Sequence, residues 1–408
     1  MQQFTQSQQL DHVLDRDQLT GAQVDAVAGF LADFHQSVTP ADQASSFGEP
    51  EHVYQPVAEN FVQILQQLPD EAHREDLASL ETWSRETFNA LSAYIKKRKL
   101  DGFVRECHGD MHLRNIAWID NRPLVFDCIE FNPNLYWIDV INDIAFLVMD
   151  LQDREQQRLA IRLLNVYLEW TGDYHGVKLL RFYLLYRAMV LAKVNAIRAG
   201  QTMVQAERQH AVQDFDNYVK LGLDYINTGS PMLIITHGLS GSGKSVVSAE
   251  LAQQLGAIRI RSDVERKRLY GIRPDASAAS ANNEGIYTSE ATRRTYDLLA
   301  DLADVVLDAG WTVIVDAAFL KVEQRDIFRQ LSRQSRVACR IIDLYADESV
   351  LRQRVQARQG DVSDANLDVL GSQLASHEKL TEAEQEISLM VNTEDDIDYA
   401  KLAAQLLA

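Results

Sequence analysis

The amino-acid sequence predicts an α/β protein in two parts: a mainly helical α+β part over residues 1–228, and a three-layer α/β/α part with a parallel sheet over residues 231–408. Three observations carry this. Apolar residues recur at helical spacing through most of the first half, as in Leu19, Val24, Val27, Leu31 and Phe34. After the turn-forming run Asn227-Thr228-Gly229-Ser230-Pro231, short apolar runs alternate with helical stretches. A glycine-rich turn separates the first of those runs from the helix that follows it. The length of 408 residues also exceeds one ordinary domain.

In the first part, helices are expected over residues 17–34, 57–68 and 71–97. Short strands follow over 103–107, 116–119 and 124–126, then helices over 138–150, 154–170, 177–198 and 201–226. Beyond the linker, strands are expected over 232–236, 257–260, 312–315, 337–344 and 387–391, with helices between them. The formal net charge of -19 disfavours extended nucleic-acid binding but allows a local basic pocket for one phosphorylated ligand. No apolar run is long enough to span a bilayer and the first 17 residues are polar, so a soluble, cytoplasmic protein without a membrane partner is expected. The three cysteines, Cys107, Cys128 and Cys339, fit neither a zinc site nor a disulfide framework, and buried reduced thiols are expected.

The run Gly238-Leu239-Ser240-Gly241-Ser242-Gly243-Lys244-Ser245 fits G-x-x-x-x-G-K-[ST], between a strand and a helix that opens near Val246. Glycines let the backbone fold tightly enough for its N–H groups to face phosphate oxygens, and the helix N-terminus adds positive charge. Residues 238–246 are therefore the candidate triphosphate cradle, with Lys244 reaching the β- and γ-phosphates and Ser245 ligating Mg²⁺. Asp316, at the end of the apolar run 311–315, is expected to hold the metal, a role compatible with capping a helix as well.

On the acceptor side, Asp263 and Arg266 lie one helical turn apart. They fit a carboxylate that activates a hydroxyl and a cation that holds an anionic group; a capped helix with a surface ion pair is the alternative. Arg354 and Arg358 share a helix face before a polar loop over 359–364, fitting either a mobile lid that brings arginines to a transferring phosphoryl group or a solvated basic face. Through GLSGSGKS, RSDVERK, VIVDAAFL and LRQRVQARQGDVSDA, residues 231–408 resemble the P-loop kinases of the shikimate and gluconate kinase kind, the polynucleotide 5′-kinase fold and the zeta-toxin group. The spacing of Asp263 and Arg266 is similar to the acceptor-binding pair of the polynucleotide kinases. The resemblance implies ATP as donor, Mg²⁺ as cofactor and a hydroxyl of a small molecule or nucleotide as acceptor.

The first part carries Cys107-His108-Gly109-Asp110-Met111-His112-Leu113-Arg114-Asn115 between two short strands. Asp110 and Asn115 have the Asp-x4-Asn spacing of a kinase catalytic loop, and Asp127 ends the next apolar run. Asp110 would orient the acceptor hydroxyl, with Asn115 and Asp127 as metal ligands. The segment resembles the aminoglycoside-phosphotransferase family, whose HGDxHxxN loop precedes a strand-terminal Asp; Asp143 in the helix that follows is expected to be structural. The order of the two segments resembles a group of bacterial fusion proteins. That family also needs an upper lobe with a glycine-rich loop and a strand lysine, yet the 107 residues before His108 read as helices, with 1–4 like a lobe hinge. An impaired or regulatory first domain, or a truncated chain, is therefore expected. The sequence as a whole reads as an ATP-dependent kinase acting through its second part, with a nucleotide-dependent switch and a polynucleotide-end kinase as alternatives.

Overall fold

The computed structural model describes residues 4–67, 73–276, 286, 288–357 and 367–408. By compactness the chain forms two units, Met1–Leu164 with Gly176–Gly229, and Asn165–His175 with Ser230–Ala408.

The first unit opens with α1 (Leu10–Leu14), α2 (Gly21–Ser37), α3 (Pro50–Gln67) and α4 (Arg74–Leu100). Four short strands follow, β1 (Val104–Glu106), β2 (Ile116–Ile119), β3 (Arg122–Val125) and β4 (Trp137–Asp139). β2 and β3 form an antiparallel hairpin, and β1 pairs antiparallel with β4. Then come α5 (Val140–Asp153), α6 (Gln157–Thr171), α7 (Val177–Gln201) and α8 (Gln205–Ile226). Every residue of α5 from Val140 to Leu151 is buried, and α7 packs on α3, α5 and α8. A helix buried on all sides lies at the centre of a core, its Asn142, Asp143 and Asp150 included.

Two expectations change here. Ile138 and Asp139 are strand rather than helix, because Asp139 caps α5, accepting a 2.9 Å hydrogen bond from the Ile141 N–H. Of the cysteines, Cys107 is buried but Cys128 is exposed and Cys339 half-buried. Among the described residues no helix is long and apolar enough to cross a membrane.

The second unit alternates strands and helices: β5 (Met232–His237), α9 (Lys244–Leu255), β6 (Ile258–Arg261), α10 (Ser262–Leu269), α11 (Ser289–Asp308) and β7 (Val313–Asp316). It continues with α12 (Val322–Gln334), β8 (Ala338–Tyr345), α13 (Glu348–Ala357), α14 (Leu367–Ser376), α15 (Glu382–Gln385), β9 (Ser388–Asn392) and α16 (Tyr399–Leu407). The five strands are parallel, in the order β6-β7-β5-β8-β9. Met232, Ile234, Ile314 and Ile342 pack with Val247 and Leu251 of α9 and Leu402 and Leu406 of α16. Leu233 and Ile235 are fully buried too and by strand alternation face the opposite side, where α11 and α12 meet the sheet. This is the three-layer α/β/α arrangement. It buries both faces of the central strands β5 and β7, which is why those two read as near-continuous apolar runs.

Candidate functional site

Parallel pairing brings the chemistry to one edge of the sheet. Arg261 is in register with Asp316, and Ile235 with Val315, so the ends of β6, β7 and β5 open together. The glycine-rich turn leaves β5 at that edge. Gly238 takes φ +149° and Gly241 φ +88°. A Cβ on Gly238 would stand 2.4 Å from the Leu344 carbonyl oxygen, and one on Gly241 2.8 Å from that of Leu351. Only glycine fits both positions. The loop is closed by a 3.1 Å bond from Ser242 N to Leu239 O, and Ser240 N donates to Gln373 Oε1 at 2.8 Å. α9 starts at Lys244, so its N-terminal amides sit against the loop. Lys244 Nζ donates to the Leu239 carbonyl at 2.7 Å, which holds the ammonium over the bend.

A cavity of about 1390 Å³ opens here, larger than one small ligand usually needs. Of the residues singled out from the sequence, it is lined by Ser240, Gly241, Gly243, Lys244, Ser245 and Val246, and by Asp263, Arg266, Asp316 and Arg354. Gly238, Leu239 and Ser242 instead line a second cavity of about 510 Å³.

Asp263 is the second residue of α10 and Arg266 lies one turn later. Arg266 is buried and its NH1 donates to the Ile286 carbonyl at 2.8 Å, which rules out the surface ion pair. Asp316 is buried and accepts from Ser248 Oγ at 3.0 Å, with Arg261 Nε at 3.8 Å. It caps no helix, since the N-cap of α12 is Lys321. The Ser245 hydroxyl and the Asp316 carboxylate are hard oxygen donors lining one cavity, a set that fits a divalent cation such as Mg²⁺.

Arg354 is half-buried and anchored, with NH1 on Thr393 Oγ1 at 2.8 Å and on the Gly241 carbonyl at 3.3 Å. It braces the phosphate loop, which departs from a solvated face. Arg358 and the loop over 359–364 lie outside the described residues.

Several cavity residues were not found from the sequence. Arg261 is one. Burial alone would lower its pKa, but the charges of Glu169, Asp316 and Asp263 outweigh that and raise it. Tyr296 is another: burial pushes its phenol up to about 12, and its oxygen accepts from Phe319 N at 3.0 Å. The signal available was Ile258-Arg259-Ile260-Arg261, two charges inside an apolar strand, which demand buried partners.

In the first unit, Asn115 Nδ2 donates to Asp110 Oδ2 at 3.1 Å and to the Asp110 carbonyl at 3.0 Å. Phe126 N donates to Asn115 O at 3.1 Å, and Asp127 follows it in the chain. β3 ends at Val125, so Asp127 lies past the strand end, exposed and in the left-handed region at φ +61°. Asp110 is opposed by burial, but the hydrogen bond and charge of His112 and the charges of Arg187 and His108 win and lower its pKa. Asp143, fully buried, accepts from His35 Nε2 (3.0 Å), His108 N (3.2 Å) and Gly109 N (2.9 Å). These bonds hold the backbone at His108 and Gly109 in shape.

Residues 4–180 match the family model described as phosphotransferase enzyme family, and residues 233–380 match the one described as AAA domain. An uncharacterized protein of Mycobacterium tuberculosis is 26% identical over 369 residues, covering 90% of this chain and 73% of that protein. Among solved structures, a sugar kinase from Janibacter sp. is 22% identical, covering 44% of this chain and 95% of that one, at a TM-score of 0.34. A gluconokinase from Sinorhizobium meliloti is 22% identical, covering 44% and 91%, at a TM-score of 0.31. The chain thus carries a segment similar to the phosphotransferase enzyme family followed by a segment similar to the AAA domain, the second containing the phosphate loop.

Proposed function

We propose that the protein is an ATP-dependent kinase that acts through its second unit, transferring the γ-phosphoryl group to a hydroxyl of a small molecule or nucleotide. The observation that carries this is one cavity shared by the phosphate loop, Asp316 and the Asp263–Arg266 pair. Loop amides and Lys244 hold the triphosphate. Ser245 and Asp316 would hold Mg²⁺, which would supply neutralisation of the triphosphate charge. Asp263 takes the proton of the attacking hydroxyl, and Arg266 offsets charge on the acceptor side. The first unit keeps the Asp110–Asn115 geometry and is read as impaired or regulatory.

The test is a phosphoryl-transfer screen of the full chain against sugars, aminoglycosides, nucleosides and oligonucleotide 5′-ends. Asp263→Ala is expected to cut transfer by about 10²-fold or more, the scale of a lost general base, with ATP affinity unchanged. A variant that keeps its full ATP turnover would instead identify a switch without an acceptor. Transfer confined to oligonucleotide ends and falling steeply with salt would identify a polynucleotide-end kinase.

A further inference from the structure

The last turns of α6 and the residues after it, Asn165–His175, belong to the second unit although they lie some 60 positions before β5 in the chain. They complete an open sheet edge. β6 is the outer strand, and the Asn165 side chain pairs with it like a short strand: Nδ2 donates to Ala257 O at 2.9 Å and Oδ1 accepts from Arg259 N at 2.6 Å. One turn on, Glu169 is buried among arginines. Its Oε1 accepts from Arg259 NH2 at 2.6 Å and Nε at 3.2 Å, its Oε2 from Arg261 NH1 at 3.4 Å, and its carbonyl from Arg268 NH2 at 2.6 Å.

Both arginines go on to the two positions that fit the metal. Arg259 NH1 donates to the Ser245 carbonyl at 3.0 Å, and Arg261 Nε stands 3.8 Å from Asp316 Oδ2. We infer that Glu169 is a positioning residue: its carboxylate shares Arg261 with Asp316 and so keeps the Asp316 carboxylate available to a divalent cation. This rests on the reading of the unit as a Mg²⁺-nucleotide site. Without the Glu169 charge, Arg261 has Asp316 and Asp263 as its remaining acidic neighbours and closes on Asp316, competing with the cation for the same oxygens.

The test titrates Mg²⁺ into the full chain with a fluorescent ATP analogue, for wild type, Glu169→Gln, Glu169→Asp and Glu169→Gln with Arg261→Gln. Glu169→Gln is expected to raise the Mg²⁺ concentration for half-maximal tightening by roughly tenfold, the lower end of what outer-shell partners of metal ligands contribute. Affinity in EDTA stays within about twofold, since the amide cradle is untouched. Glu169→Asp recovers most of the shift, and adding Arg261→Gln abolishes it. An unchanged Mg²⁺ requirement in Glu169→Gln, or a shift that survives Arg261→Gln, overturns the inference. Should Glu169→Gln not fold, Arg261→Gln alone decides: it is expected to lower the Mg²⁺ requirement, and no change or a rise overturns the inference. A wild-type chain that binds no nucleotide at all contradicts the kinase reading itself and is recognised before any variant is compared.

Discussion

Arg325→Ala is expected to destabilise the second unit by about 3–5 kcal/mol, the cost of leaving a buried charge without its partner. Arg325 and Glu384 are both fully buried, with Nε on Oε1 at 2.8 Å and NH2 on Oε2 at 3.1 Å. The guanidinium also donates to the carbonyls of Phe319 at 2.9 Å and Lys379 at 3.1 Å, tying the loop after β7 to the chain before α15. Alanine strands the carboxylate and these carbonyls together, against a total stability of about 5–15 kcal/mol for a domain. Burial works against ionisation of Glu384, but Arg325 and the Thr381 hydrogen bonds win and lower its pKa. With the folded value below the unfolded one, the pair contributes fully above the ordinary carboxylate pKa and is lost as pH falls through the depressed value. Urea denaturation at neutral and acid pH checks both points. The variant's midpoint should be far lower at neutral pH, and its loss on acidification smaller than that of wild type.

Gly238→Ala is expected to weaken Mg²⁺-ATP binding by about 10²-fold or more, the equivalent of one or two charge-assisted hydrogen bonds. The added methyl meets a backbone carbonyl at 2.4 Å and the Ser242 hydroxyl at 2.6 Å, and φ +149° is itself strained for alanine. A carbonyl inside a parallel sheet cannot turn away, so the loop must move and its amides leave the phosphate position. Gly371→Ala on α14 is the control, because its Cβ would meet nothing within 4 Å. Equal affinity in Gly238→Ala and wild type would show that the bend does not hold the triphosphate.

What could be read from the sequence was what depends on neighbours along the chain. The phosphate loop, the strand ending in Asp316 and the Asp263–Arg266 turn are each contained in a few residues, and each brings some of those residues to one cavity. The strands of the second unit begin and end within a residue or so of expectation, most plainly β5 and β7, whose burial on both faces leaves near-continuous apolar runs. What was not legible depends on partners far away. Nothing in Asn165–His175 marks it as the edge of a sheet whose strand starts at Ile258. Arg354 reads as a surface arginine until Thr393 and Gly241 are placed beside it. β4 was hidden because three residues ahead of a helix carry the helix's own apolar period, and only pairing with β1 separates them.

The central claim is that the bend between β5 and α9 grips a nucleoside triphosphate with its amides and one ammonium group. The most direct measurement is a titration of the full chain with a fluorescent ATP analogue, with and without Mg²⁺, alongside Lys244→Ala. Saturable one-site binding that Mg²⁺ tightens is expected, with a loss of about 10²-fold in affinity in Lys244→Ala for the missing charge-assisted contacts. Undiminished affinity in Lys244→Ala, or binding indifferent to Mg²⁺, would contradict it.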